Sequence, residues 1–280
     1  MISISEKRKG TIVKVLFLIM LALLILIEVW YRSQSLPSET VTDIYNSASR
    51  FIGGVVAILF MIEFSFAHII DPRGNKSVVA LLLCLPALAV ALNNFPWISF
   101  FAGDCSFEAS VEDMLFYGLI CFCVGFFEEF AFRGCAFMFL LRKRADTKLR
   151  VFMAIFWSSV IFGVVHLVNM FTSSPAAVLL QTGYSALIGG LCCLVLLETK
   201  NLWLCVFIHS LYNFAGGIVP RFGGGQIWTA QEIAITAIVG VAVAIYAVVR
   251  FIKMPIVSVG NLFDTKSEQI KTSGEISKEI

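Results

Sequence analysis

Two neighbouring carboxylates and one guanidinium lie in a stretch whose other side chains are mostly apolar. Glu128, Glu129 and Arg133 fall within six residues, with phenylalanines on both sides. If the stretch is helical, Glu129 and Arg133 share a face and can pair, whereas Glu128 is turned about 100° away. Glu128 is therefore the carboxylate that this arginine neutralises less easily, and the one that suits a general base.

Two of the three histidines lie in two further apolar stretches. His166 follows an apolar run that begins at Phe162, and His209 stands four positions before Asn213. On a helix, His209 and Asn213 therefore face the same way. Imidazole and amide groups can activate water, bind a metal or donate hydrogen bonds to a developing oxyanion. The three segments together predict one buried site that is assembled from separate helices.

The composition indicates which elements must hold these residues. Hydrophobic residues make up 59% of the 280-residue chain and charged residues 14%, against roughly 45–50% and roughly 25% in a soluble domain. About eight helices of about 20 residues would use a similar share of the chain. We therefore expect an all-α, polytopic transmembrane helix bundle, because a backbone in lipid must satisfy its own hydrogen bonds. The net charge of +2 gives no indication of a nucleic-acid partner.

The apolar runs and the charged loops predict a topology. Basic residues concentrate in alternate connections, above all in 142–150, so the positive-inside rule puts both termini in the cytoplasm. The opposite loops carry few basic residues, and we assign Arg50 to one of them. The eight predicted spans are 11–31, 51–70, 78–94, 114–141, 151–171, 177–197, 201–219 and 230–252.

Four regions follow from these spans. Residues 1–110 hold the first three helices, and 111–219 hold helices 4–7 with every polar residue of the predicted site. Residues 220–254 hold the final helix, and 255–280 form a polar cytoplasmic tail. The site is therefore expected to depend on the second region.

The three segments resemble a known family. Glu128-Glu129-x-x-x-Arg133, Phe162-x-x-x-His166 and His209-x-x-x-Asn213 are similar to the three ordered motifs of the CPBP intramembrane proteases. That family includes type II CAAX prenyl endopeptidases, bacteriocin-processing and immunity (Abi) proteins, and proteins like lysostaphin resistance protein A. The resemblance covers about 114–219.

The resemblance implies an intramembrane endopeptidase and assigns a role to each motif residue. Glu128 matches the catalytic glutamate and His166 its partner in activating water, while His209 and Asn213 match the pair that stabilises the oxyanion. Glu129 and Arg133 match orienting or structural positions. A glutamic mechanism without metal is favoured, because Arg133 puts a cation beside the site and there is no His-Glu-x-x-His motif. If the enzyme used zinc, the ligands would be Glu128, His166 and His209.

Membrane lipid and a peptide or membrane-protein substrate are the partners that this interpretation implies, and we expect a multi-pass protein of a bacterial plasma membrane. Two other interpretations remain open. The first is a non-catalytic immunity or scaffold protein of the same fold. The second is a proton-coupled transporter with Glu128, Glu129 and the histidines as a relay.

Overall fold

The computed structural model describes residues 38–74, 78–82, 84–142, 147–171 and 175–255, with a few isolated positions in 15–30 and at 259. Within these ranges the protein is almost entirely helical, so the all-α prediction is confirmed. The α-helices are α1 (Glu39–Glu63), α2 (Val78–Leu82), α3 (Leu85–Asn93), α4 (Trp97–Ala102), α5 (Val111–Glu129), α6 (Met138–Arg142), α7 (Lys148–Val165), α8 (Pro175–Thr199), α9 (Leu202–Phe222) and α10 (Ala230–Lys253).

Other short elements complete the chain. A π-helical segment, Phe130–Phe137, joins α5 to α6, and 3-10 turns span Ala67–Ile70 and His166–Phe171. Strands β1 (Cys105–Phe107) and β2 (Gly223–Gly225) form one small antiparallel ribbon. This ribbon could not be predicted from the sequence, because a strand of three glycines has no side-chain pattern.

Six segments of the described chain are long and apolar enough to cross a membrane: Glu39–Glu63, Val111–Arg142, Lys148–Met170, Gln181–Thr199, Leu202–Phe222 and Ala230–Lys253. They correspond to six of the eight predicted spans. The predicted span 78–94 corresponds to a shorter apolar stretch, Ala80–Asn93. This stretch is divided between α2 and α3. The predicted span 11–31 lies largely outside the described residues.

The packing centres on α5, which lies between α1 and α9. Polar caps fix where these helices begin: Ser110 and Asp113 form a capping box at α5, and the side chain of Asn201 accepts a hydrogen bond from the backbone of Trp203 at α9. Gly125 allows α5 and α9 to approach closely, since a Cβ there would lie 2.5 Å from Ser210 Oγ. The backbones that carry the glutamates and His209 are thereby held side by side.

The prediction for Arg50 was wrong. Helix α1 begins at Glu39, twelve residues before the apolar run, so Arg50 lies inside the helix rather than in a loop. The early turns of α1 are polar and are held by protein contacts, since Arg221 at the end of α9 bonds to Glu39 and Asp43. An apolar run marks where a helix can face lipid, and it misses turns that pack against protein.

Candidate active site

The four residues predicted to be catalytic line one cavity. It has a volume of about 300 Å³ and is bounded by parts of α1, α5, α7, α8 and α9. Glu128, His166, His209 and Asn213 all contribute to its wall, and so does Arg50. Glu129 and Arg133 do not line it. The fold thus brings together residues from three separate motifs, and it leaves the two predicted orienting residues behind the wall.

A change of helix type occurs at the first motif. The α-helical part of the span ends at Glu129, and the backbone continues as a π-helix that contains Arg133. A π-helical segment widens the helix locally, and such segments recur at functional sites. The sequence pattern gave no indication of this segment, because π- and α-helical turns accept the same apolar residues.

Behind the cavity, Arg133, Glu129 and His209 form a sealed chain of charge-assisted hydrogen bonds. Arg133 Nη1 donates to Glu129 Oε1 at 2.8 Å, and His209 Nδ1 donates to the same oxygen, also at 2.8 Å. Arg133 and Glu129 are completely buried, and His209 is 3% exposed. A carboxylate accepts only, so Nδ1 of His209 must carry a proton, and Nε2 is the ring nitrogen directed to the cavity side.

The packing around Arg133 holds its guanidinium in place. Its Cζ lies 4.1 Å from the centroid of the Phe162 ring, which is a cation–π contact. A Cβ at Gly189 would lie 2.5 Å from Arg133 Nη2, so α8 can approach the guanidinium only through a glycine. Among the described residues, Arg133 Nε and Nη2 and Glu129 Oε2 have no hydrogen-bond partner. The pair is therefore fixed by packing as well as by charge.

Glu128 lies on the cavity side and contacts two cationic or basic groups. Its Oε1 is 3.3 Å from Arg50 Nη1, and its Oε2 is 3.6 Å from His209 Nε2. The glutamate residue is 9% exposed. His209 therefore lies between the two neighbouring carboxylates, with one ring nitrogen toward each. Arg133 bonds to Glu129 and Glu128 contacts Arg50 instead, which agrees with the prediction that Arg133 pairs with Glu129.

His166 is the first residue after α7, where the backbone changes to the 3-10 turn. Its Nδ1 is 2.9 Å from the carbonyl oxygen of Phe162. Since a carbonyl only accepts, Nδ1 donates, and in the neutral ring Nε2 keeps its lone pair. The ring packs edge-on against Phe162, with 5.0 Å between ring centroids. The side chain is thus oriented by the end of its own helix.

Asn213 lines the cavity one turn after His209 on α9. Its backbone carbonyl accepts a hydrogen bond from the Tyr117 hydroxyl on α5 at 3.4 Å. That contact ties α5 to α9 on the side of Asn213 away from the glutamates.

Arg50 is the residue of this site that the sequence analysis missed. It contacts Glu128, lies 5.5 Å from the Phe127 ring centroid and lines the cavity. It lies 78 residues before Glu128 and outside the three motifs. One feature of the sequence could have pointed to Arg50: it is a basic residue directly before a predicted span. A basic side chain in or near lipid carries an energetic cost, so it needs a polar partner.

The zinc set predicted as an alternative does not form a compact ligand group. In the described part of the chain, one group of three possible ligands has its ligand atoms within 4.8 Å of one another, and it consists of Glu129, Cys192 and Cys205. Glu128, His166 and His209 are not such a group, and Arg50 places a cation against Glu128. Glu129 is already bonded to Arg133. In this arrangement an arginine contacts a carboxylate of each set.

The protein is thus a multi-pass helical membrane protein whose helices enclose a cavity with a glutamate, two histidines and an asparagine in its wall. Comparison with known families adds one match. Residues 110–215, a little over a third of the chain, match the family described as "Type II CAAX prenyl endopeptidase Rce1-like". The match confirms the resemblance to the CPBP/CAAX proteases, and it supports a CAAX-type intramembrane endopeptidase. The searches of curated proteins and of solved structures gave no significant match.

Proposed function

We propose that the protein hydrolyses a peptide bond of a membrane-associated peptide or protein, with a water molecule activated by Glu128 and His166. The observation that carries the proposal is the shared cavity. Glu128, His166, His209 and Asn213 face one space, while the pair Glu129–Arg133 lies sealed behind it. A general base must lie beside the space that the reacting water occupies, and Glu128 is the carboxylate that does.

The two histidines take different parts in this mechanism. His166 offers Nε2 as an acceptor, because its Nδ1 is bonded to the Phe162 carbonyl; it therefore helps Glu128 to hold and deprotonate water. The hydroxide attacks the peptide carbonyl carbon, and the carbonyl oxygen takes up the negative charge. Glu128, now protonated, returns the proton to the leaving amine.

His209 and Asn213 are proposed to donate hydrogen bonds to the oxyanion. For this role, His209 Nε2 must carry a proton in addition to Nδ1. The imidazolium form would then face Glu129 with one N–H and the cavity with the other. Glu129, held by Arg133, fixes the ring so that Nε2 points at the reacting centre. Glu129 and Arg133 are positioning residues in this scheme.

The size of the cavity supports an extended segment as the substrate. The cavity volume of about 300 Å³ is at the small end of ligand pockets. A helical segment hides its carbonyls in its own hydrogen bonds, so a few residues must unwind before the bond can be attacked. A peptide or protein that already lies in the membrane could supply such a segment without crossing water.

The test compares membranes that contain the wild-type protein with membranes that contain Glu128→Gln, using proteomics of labelled new chain termini. We expect one precursor to accumulate uncleaved in Glu128→Gln and its new terminus to disappear. The kcat on that precursor should fall by about 10²–10⁴, the usual contribution of a general base. Glu112→Gln, an exposed glutamate at the start of the same helix, is the matched control and should cleave normally.

Two results would contradict the proposal. If Glu128→Gln, present in the same amount as wild type, leaves every terminus unchanged, the protein is not a peptidase that uses this residue. If a chelator abolishes cleavage and zinc restores it, the enzyme is a metalloprotease, and the metal-free part of the mechanism is wrong.

A further inference from the structure

A second cavity lies on the opposite face of α8, between α7, α8 and α10. Its volume is about 390 Å³. Helix α8 contributes Tyr184 and Ile188 to the first cavity, and it contributes Leu187 and Leu191 to the second. Within the described part of the chain, no residue lines both. The second cavity is therefore a separate feature, which we call the α7–α8–α10 groove, and its interpretation does not depend on the peptidase mechanism.

The groove is apolar and is opened by small side chains. Gly190 on α8 and Ala244 and Ala247 on α10 leave space where larger residues would fill it. Phe152 on α7 and Phe251 on α10 also line it, and their ring centroids are 5.9 Å apart. The two outer helices thus come into contact at the end of the groove that carries these rings.

The helix positions of its lining residues show how far the groove would extend into a bilayer. At 1.5 Å per residue, Phe152 lies about 6 Å from the start of α7, which is Lys148. Ala186, at the far end of the groove, lies about 20 Å from the end of α8, which is Thr199. Half of a hydrocarbon core about 30 Å thick is about 15 Å. The groove therefore runs from one membrane surface to beyond the bilayer centre.

Two lysines stand at the surface end of the groove. Lys148 donates a hydrogen bond from Nζ to the carbonyl oxygen of Ile252, a residue that itself lines the groove. Lys253 is the next residue, and both lysine side chains are exposed. Positive charge at the membrane surface attracts anionic headgroups, and basic sites between transmembrane helices bind them.

We propose that the α7–α8–α10 groove binds one anionic phospholipid, with an acyl chain between the helices and the phosphate at Lys148 and Lys253. The volume favours a chain over a helix, because a helix with its side chains is about 10–12 Å wide. A groove that is long enough to reach past the bilayer centre but has a volume of only about 390 Å³ is too narrow for a helix. The paired lysines favour an anionic headgroup over a zwitterionic one.

The test is native mass spectrometry of the full chain in detergent, titrated with phosphatidylglycerol or with phosphatidylcholine of the same acyl chains. One bound phosphatidylglycerol should be retained, with each lysine contributing about a fivefold preference over phosphatidylcholine. The double variant Lys148→Gln/Lys253→Gln should lose this preference for phosphatidylglycerol but should still bind the acyl chain of either lipid. Arg73→Gln, which removes an exposed charge away from the groove, should behave as wild type.

A second variant tests whether the acyl chain of the lipid lies in the groove. Ala247→Phe fills the groove and should weaken retention of both lipids at least tenfold. Equal retention of both lipids by wild type, or a preference that survives the double lysine change, would overturn the proposal. So would a dimer that Ala247→Phe dissociates, since the groove would then be an interface between copies. If Ala247→Phe does not fold, the lysine variants decide, because they change exposed positions only.

Discussion

Two adjacent glutamates of one helix have opposite surroundings. Glu129 is fully buried and is bonded at 2.8 Å to both Arg133 and His209. Glu128 contacts Arg50 at 3.3 Å and His209 at 3.6 Å, and it faces a cavity. Each glutamate has its own arginine, yet only the Glu128 pair can be reached by a ligand. The first motif therefore contributes a carboxylate to one sealed pair and a carboxylate to one accessible pair, with His209 between them.

The difference has a physical cause. Removing two charges from water costs several kcal/mol per ion, and a sealed pair regains this energy only through close and well-oriented bonds. The pair of Glu129 and Arg133 has a 2.8 Å bond and a phenylalanine ring under the guanidinium. The pair of Glu128 and Arg50 is longer and partly exposed, so solvent or substrate can compete for it. Substitutions should therefore act on stability in one pair and on catalysis in the other.

The largest effect on stability is expected for Glu129→Gln. The change leaves Arg133 as a buried and unpaired cation, which should cost about 3–5 kcal/mol of unfolding free energy. Thermal unfolding in detergent, followed by circular dichroism, measures the loss. Glu128→Gln is the matched change one residue earlier, and it should lose far less stability while losing activity. Equal losses of stability in both variants would remove the distinction between the pairs.

A double substitution tests whether the buried pair of Glu129 and Arg133 is needed for stability or for activity. Glu129→Leu/Arg133→Leu removes both buried charges and should recover most of the stability lost in Glu129→Gln, since apolar residues often replace a buried pair without loss. It should stay inactive, because His209 loses the acceptor for Nδ1. A double variant that folds and cleaves at the wild-type rate would show that Glu129 does not position the histidine.

The next largest effect is expected on kcat, from a change at a residue that lines the cavity. Asn213→Ala removes one proposed oxyanion donor, and kcat should fall by about 10²–10³ with little change in KM. The precursor found in the proteomic comparison is the substrate for this assay. Asn93→Ala removes an amide outside the cavity, where it bonds to Thr236, and should leave kcat near wild type. A rise in KM without a fall in kcat would place Asn213 in substrate binding instead.

The smallest effect is expected for Arg50→Gln. The change removes the contact at Glu128 Oε1, so the carboxylate is less well oriented, and kcat should fall about tenfold, roughly 1.4 kcal/mol of transition-state stabilisation. Stability should change by about 1 kcal/mol or less, because the pair is partly exposed. Arg50→Lys keeps the charge and should restore part of the rate. A loss of stability like that of Glu129→Gln, with kcat unchanged, would make Arg50 a structural residue.

The amino-acid sequence was sufficient to predict the class of fold and four residues that line one cavity. A chain with 59% hydrophobic residues must place most of them in lipid or in a core, and helices satisfy the backbone in both. Polar residues in apolar runs carry an energetic cost, which is why Glu128, His166, His209 and Asn213 could be singled out without coordinates. The spacing of Glu129 and Arg133 predicted their pairing, because four residues make about one helical turn.

The partners of these residues depend on long-range packing that the sequence pattern does not show. The contact between Arg50 and Glu128 joins positions 78 residues apart, and that between Glu129 and His209 joins positions 80 apart. Local spacing carries no information on such contacts, since they depend on which helices pack side by side and on small residues such as Gly125 and Gly189 that permit close approach. The sequence placed two carboxylates in the membrane, and the packing of α1 and α9 against α5 made one of them accessible and sealed the other.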